Sequence, residues 1–133
     1  MKLLSRKEFK DAVFQRDTYK CLVCKEPAVD AHHIIERKLF DDGGYYIDNG
    51  SSLCEVHHFQ AEQTIISCNT LRQLAKIKMI ILPADFNSEL EYDKWGNIIL
   101  KSGSRKPGPL FHQESVQKIL ESANLLNLFL NSI

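Results

Sequence analysis

No apolar run in these 133 residues approaches the length that crosses a bilayer, and the stretch from Met1 to Glu8 offers no apolar core for a secretion signal. A membrane-embedded or exported protein is therefore not expected, and a cytoplasmic one is. Charge of one sign is missing too. Seventeen Lys and Arg face seventeen Asp and Glu, so the chain as a whole has no net attraction for a polyanion. Cysteine is scarce, at four residues, and in a reducing compartment four thiols point to metal before disulfides. No internal repeat and no low-complexity tract is present, which argues against a solenoid or a disordered tail.

What is present suits one domain, or one domain with an appendage, able to bury a modest core: 44% of residues are hydrophobic and 26% charged. The cations are unevenly placed. Lys2, Arg6, Lys7, Lys10, Arg16 and Lys20 crowd the N-terminus, and Lys101, Arg105 and Lys106 form a second group. Local basic faces of this kind can hold a phosphate backbone at zero net charge, with marked salt sensitivity.

Ser5 followed by Glu8 is a capping box, predicting a helix to about Arg16 with Phe9, Ala12 and Val13 on one face. Tyr19 to Cys24 reads as a short strand and a turn. Ala28 to Ile35 reads as a strand, Glu36 to Asn49 as a loop turning at Asp41-Asp42-Gly43-Gly44, and Ser51 to Cys54 as a second strand. From Glu55 to about Gln63 the pattern is helical. Beyond it, Asn69 or Thr70 can cap a helix to about Ala75, and Met79 to Leu82 is an apolar run stopped by Pro83. Glu91 to Leu100 is expected to be a hairpin turning at Gly96-Asn97, with Trp95 packed on the core. Ser102 to Pro109 reads as a loop. Gln113 to about Leu130 should be the longest helix, with Val116, Ile119, Leu120, Ala123, Leu126 and Leu130 at helical spacing. Its end is apolar on more than one face, which suits either burial or a homodimer contact.

Two pairs of ligand residues bracket the first strand and loop. Cys21 and Cys24 form a C-x-x-C, and Cys54 and His57 a C-x-x-H thirty-three residues after the first pair begins. Structural zinc takes four N or S ligands in a tetrahedron, and two-residue spacers let a tight turn present both members of a pair to one ion. A redox C-x-x-C would need a βαβ setting, which is lacking. Cys68 is an alternative fourth ligand in place of His57, and otherwise a core residue. Between the pairs lie His32, His33 and Asn49, with His58 just beyond. Four of the five histidines fall from His32 to His58, too concentrated for packing alone to explain.

Asp30-Ala31-His32-His33-Ile34, then Asn49, then Leu53-Cys54-Glu55-Val56-His57-His58 resembles the HNH endonuclease family, more narrowly its small zinc-clipped phage and bacterial members. The resemblance covers roughly residues 16 to 63. It implies an α+β fold: a small ββα-metal (His-Me finger) core clipped by a structural zinc, with flanking helices and a C-terminal hairpin plus helix. Residues 1–63 would form the N-terminal helix and finger. Residues 64–133 would form an extension of unknown role packed on the same domain. By the same resemblance His33 is the general base and Asn49 the residue that fastens the loop to the finger. His32 and His58 would ligate a catalytic divalent ion, Mg²⁺ first, with Mn²⁺ or Ni²⁺ as alternatives. His58 lies nine positions after Asn49, the register that leaves His57 to the zinc; the competing register exchanges these two histidines. Glu62, one helical turn after His58, is a candidate third ligand. Asp30 either orients a histidine or begins the strand.

The chemistry implied is hydrolysis of phosphodiester bonds in nucleic acid, DNA in the first place, in a bacterial or phage-infected cell. Water activated by His33 would attack in line and leave 5′-phosphate and 3′-hydroxyl ends. Where many members have proline after the strand, this chain has Glu36-Arg37-Lys38. Arg37 and Lys38, with Arg105 and Lys106 in the later loop, are candidate phosphate contacts, and solvation serves each of them equally well. Two other readings stand beside the enzyme. One is a non-catalytic zinc-stabilised module that binds nucleic acid or protein. The other is a redox or zinc-storage protein, which leaves His32, His33 and Asn49 without a purpose.

Overall fold

Ser5 opens the first helix as its spacing predicts. In the computed structural model, which describes residues 1–129, Ser5 Oγ accepts from Glu8 N at 3.1 Å and Glu8 Oε1 accepts from Ser5 N at 2.9 Å. This capping box starts α1, Arg6–Arg16, whose Phe9 and Val13 are buried one turn apart. They pack on a two-stranded antiparallel hairpin, β1 (Asp30–His33) and β2 (Gly50–Leu53), in which His32 lies opposite Ser51 and His33 opposite Gly50. Glycine at 50 is a matter of space. A Cβ there would collide with Val13 Cγ2 and stand 2.8 Å from Phe9 Cζ. The close approach also lets Arg16 donate to the carbonyls of Ile47 (2.8 Å) and Gly50 (2.7 Å).

The segment before β1 is not the expected strand. A single bridge between Lys20 and Pro27 flanks a tight turn, with positive φ at Thr18, Tyr19 and Lys25. The turn, closed by Lys25 N donating to Cys21 O at 2.9 Å, is what puts two cysteines on one side. After β2 comes α2, Glu55–Glu62, entered directly through Cys54. The next helix, α3, Cys68–Leu74, is capped by Ser67 in place of Asn69 or Thr70. The Ser67 hydroxyl accepts from Thr70 N at 3.1 Å, while Asn69 Oδ1 accepts from Arg72.

The C-terminal part holds a second sheet, β3 (Glu91–Tyr92), β4 (Ile98–Ile99) and β5 (Arg105–Lys106), paired antiparallel in that order. The turn between β3 and β4 is wider than Gly96-Asn97 alone. Asp93 Oδ1 accepts from Trp95 N (2.9 Å) and Asn97 N (3.0 Å), and Asp93 Oδ2 from Asn97 Nδ2 (3.0 Å). The stretch read as a loop supplies β5. The last helix, α4, is Glu114–Ser122, shorter than expected and shorter than α1. Asn124 adopts φ +58 and ends it; a 3₁₀ turn, Leu126–Leu128, then folds back so that Phe129 packs on Phe111 at 4.4 Å. Leu130, which the expected helix included, lies outside the described residues.

The result is a small α+β fold with four helices and two small sheets among the described residues. One core cluster gathers Ile34, Ile35, Leu53 and Leu71, the other Trp95, Phe111, Val116 and Leu120, and Leu39 packs against both. Trp95 is thus a core residue, and its Nε1 donates to Glu62 O at 2.8 Å, which ties the second sheet to α2. No helix among the described residues is long and apolar enough to cross a membrane.

Candidate metal centres and the groove beside them

The tight turn after α1 and the first turn of α2 bring Cys21, Cys24, Cys54 and His57 together. His57 Nδ1 lies 3.1 Å from Cys54 Sγ and 3.6 Å from Cys21 Sγ, and Cys24 Sγ lies 3.7 Å from Cys54 Sγ. A tetrahedron with arms of ~2.3 Å has edges of roughly 3.8 Å, so these separations fit four ligands around one zinc. All four ligand atoms are within 4.8 Å of one another. Burial alone would raise the Cys21 thiol, but backbone hydrogen bonds from Cys24, Cys54 and Val23 outweigh it and bring the group down to about 6. Cys68 is elsewhere. It is buried with its Sγ 3.5 Å from Ile34 O, and burial pushes its thiol up to about 12. The alternative of Cys68 as fourth ligand is thereby removed.

Alternation along β1 sends adjacent histidines to opposite sides. His33 turns toward α1, stacked on Phe9 at 4.6 Å and edge-on to Tyr45 at 4.9 Å. His32 turns toward α2, its ring centroid 5.2 Å from that of His58. His32 is 2% exposed, and neither of its ring nitrogens has a hydrogen-bond partner. Two unpartnered polar atoms on a buried ring are costly unless something else binds them. Asp30, two residues before His32 and on the same face of β1, reaches His58 Nε2 with its Oδ2 at 3.1 Å. Ligand atoms of Asp30, His32 and His58 all lie within 4.8 Å of one another. Two imidazoles and a carboxylate suit a divalent ion that keeps open positions.

Glu62, the candidate third ligand, reaches the same nitrogen: its Oε1 sits 3.1 Å from His58 Nε2, as Asp30 Oδ2 does, while the set whose ligand atoms all converge is Asp30, His32 and His58. The signal was available: Asp30 and His32 are two apart on one strand, and period two puts them on one face. The hydrogen bond that His58 donates to Glu62 raises the His58 pKa, against the lowering effect of burial. Burial drives His32 the other way, well below the usual histidine range. For His33 burial comes first, with Lys94 and Arg37 adding repulsion, and its pKa falls to about 4.

Asn49 is 1% exposed and engaged only with backbone. Its Oδ1 accepts from Ile35 N (3.0 Å), and its Nδ2 donates to Ile35 O (3.1 Å) and Gly44 O (3.2 Å). It thus ties both ends of the loop between β1 and β2, and the loop turns at Gly43 and Gly44 with φ of +88 and +66.

Between α1, β1 and α2 lies an open groove of ≈ 790 Å³, lined by His32, His33, His58 and Glu62. Its rim carries Arg6, Lys7, Lys10 and Arg37. Of the predicted phosphate contacts, Arg37 is exposed at this rim, and Lys38 and Lys106 are exposed away from it. Arg105 is a correction. It is 8% exposed, and its Nη1 donates to Asp93 Oδ2 at 2.9 Å and to Thr64 Oγ1 at 2.8 Å, so the guanidinium neutralises a buried carboxylate inside the fold. Lys94, which the sequence did not single out, enters the groove from the second sheet. Comparisons with protein-family models, with curated proteins and with solved structures return no match.

Proposed function

We propose that this chain is a metal-dependent nuclease built on an HNH-type ββα-metal finger, hydrolysing phosphodiester bonds in nucleic acid and most readily in DNA. The reading rests above all on one observation: buried, unpartnered His32 converges with Asp30 and His58 while its neighbour His33 faces the other way into the same groove. The donor set fits a divalent ion, which would supply neutralisation of charge at the phosphate and the leaving oxygen.

The remaining work belongs to the chain. His33 stays neutral at neutral pH, as a proton acceptor must, and the stack on Phe9 holds its ring plane. Arg6, Lys7, Lys10 and Arg37 give the rim the charge to hold a phosphate backbone against water. Cys21, Cys24, Cys54 and His57 clip the hairpin to α2 through a structural zinc, because strands of four residues cannot hold that geometry alone.

The test is conversion of supercoiled plasmid with Mg²⁺, Mn²⁺ or Ni²⁺, beside an EDTA control and a His33→Ala variant. Wild type should nick plasmid with at least one metal, and the variant should be slower by about 10²-fold or more. Equal conversion by both proteins, or none with any metal, refutes the reading.

A further inference from the structure

Lys94 is the one buried cation of the groove. It is 6% exposed, yet its Nζ makes a single hydrogen bond, to His33 O at 2.9 Å. Among the described residues no carboxylate pairs with it; the ion pairs of this region belong to His58 with Asp30 and Glu62, and to Arg105 with Asp93. The ammonium lies over the Trp95 ring, 5.1 Å from its centroid, a cation–π contact that offsets part of the cost of burial. The hairpin that carries it is strapped to the end of β1, with Glu36 N donating to Lys94 O at 3.0 Å. Burying an ammonium is expensive, and Glu36, Glu62 and Asp30 offset that cost only through space, so an apolar side chain of the same length would fill the place more cheaply. Such a cation at the floor of a groove is explained when an anion arrives there.

We propose that Lys94 is a substrate-binding residue of this centre, a cation delivered from the C-terminal hairpin to hold the phosphate of the bond to be cut. The inference rests on the nuclease reading and extends it. Residues after α2 are then part of the site, because Lys94 and Trp95 come from a hairpin remote in sequence from the finger. The competing role is a strap: Lys94 as a donor that only positions the His33 carbonyl.

Lys94→Gln separates the two, since an amide can still donate to His33 O but carries no charge; Lys94→Met removes both. Binding of a fluorescein-labelled DNA duplex is followed against salt, with Mg²⁺ present, in a His33→Ala background where nothing should be cut. Loss of one phosphate contact lowers the slope of log K against log salt by about 0.9. With His33 intact, Lys94→Gln should lower kcat by about 10²-fold while the melting temperature stays within a few degrees. Should Lys94→Gln unfold, Lys94→Met, apolar and of similar length, carries the same slope comparison. An unchanged slope, or wild-type cleavage by Lys94→Gln when Lys94→Met is inactive, overturns the inference in favour of the strap. A wild type that cuts no plasmid sinks the nuclease reading and this inference together. A wild type and Lys94→Gln that cut equally sink only this one.

Discussion

Asn49 offers the sharpest check on how the hairpin is held, because the structure makes it a fastener with three backbone bonds and no solvent. Asn49→Ala removes all three. Each such bond is worth about 1 kcal/mol net, and Ile35 N, buried, is left without an acceptor at a further cost of roughly 1 kcal/mol, so the loss should be about 4 kcal/mol. With a urea slope of about 2 kcal/mol per molar, the midpoint should fall by about 2 M. Trp95, the sole tryptophan, reports unfolding from the other core cluster, so the shift also tests whether the two clusters melt as one. Asn49→Asp is the more discriminating change. It keeps the acceptor for Ile35 N but turns the Nδ2 donor into an oxygen facing the carbonyls of Ile35 and Gly44. Burial and that repulsion would raise the introduced carboxyl above its unfolded value of about 3.9. A raised carboxyl is stabilising below the unfolded value and loses that contribution as pH rises through the folded one. The deficit against wild type should therefore be smallest near pH 4 and widen toward neutrality. A deficit that does not change with pH, or a midpoint shift under about 0.5 M for Asn49→Ala, refutes the reasoning.

Three further outcomes follow from the same geometry. Elemental analysis should find one firmly held zinc per chain, and Cys54→Ser should lose it and melt the finger. Structural zinc in finger peptides binds with about 10–16 kcal/mol, as much as a whole domain's stability, so an unaltered melting curve would rule out the clip. In the zinc-loaded chain Cys68 should resist a disulfide reagent until denaturant is added, since burial holds its thiol at about 12; rapid native reaction of Cys68 would contradict its placement. Arg105→Met should cost about 3–5 kcal/mol by stranding Asp93, yet leave the salt slope of DNA binding unchanged, whereas Lys10→Gln should lower that slope by about 0.9 without a change in melting temperature. The reverse pattern would return Arg105 to the surface.

Local signals in the sequence carried well where the physics is local. The capping box at Ser5, the two ligand pairs and the order of strand, loop, strand and helix all depend on residues within one turn or one strand of each other. They failed where a distant partner decides. Arg105 sits among Gly, Pro and Ser and looks solvated, but Asp93 draws it inward and makes a strand of its neighbours. The apolar spacing from Val116 to Leu130 continues past the point where the helix stops. Asn124 in the left-handed region lets Phe129 reach Phe111, and that aromatic contact takes precedence over helical periodicity. Lys94 gave no sequence signal, because its role comes from a hairpin folding onto β1 from sixty residues away.

Zero net charge was the weakest point of a nucleic-acid reading, and the structure changes what that number means. Charge is sorted by place. Arg6, Lys7, Lys10, Arg37 and Lys94 line the groove against Asp30, Glu36 and Glu62, and two of those carboxylates are already turned onto His58. Arg16 is engaged with Asp17 and with backbone carbonyls, and Arg105 with Asp93, so neither cation contributes at the rim. A polyanion approaching the groove meets a field set by residues within about a Debye length, near 10 Å, and hardly senses the acidic groups of the far side. The relevant quantity is therefore the local excess at α1 and Lys94. Counted over the whole chain it cancels; counted where a phosphate would lie, it does not.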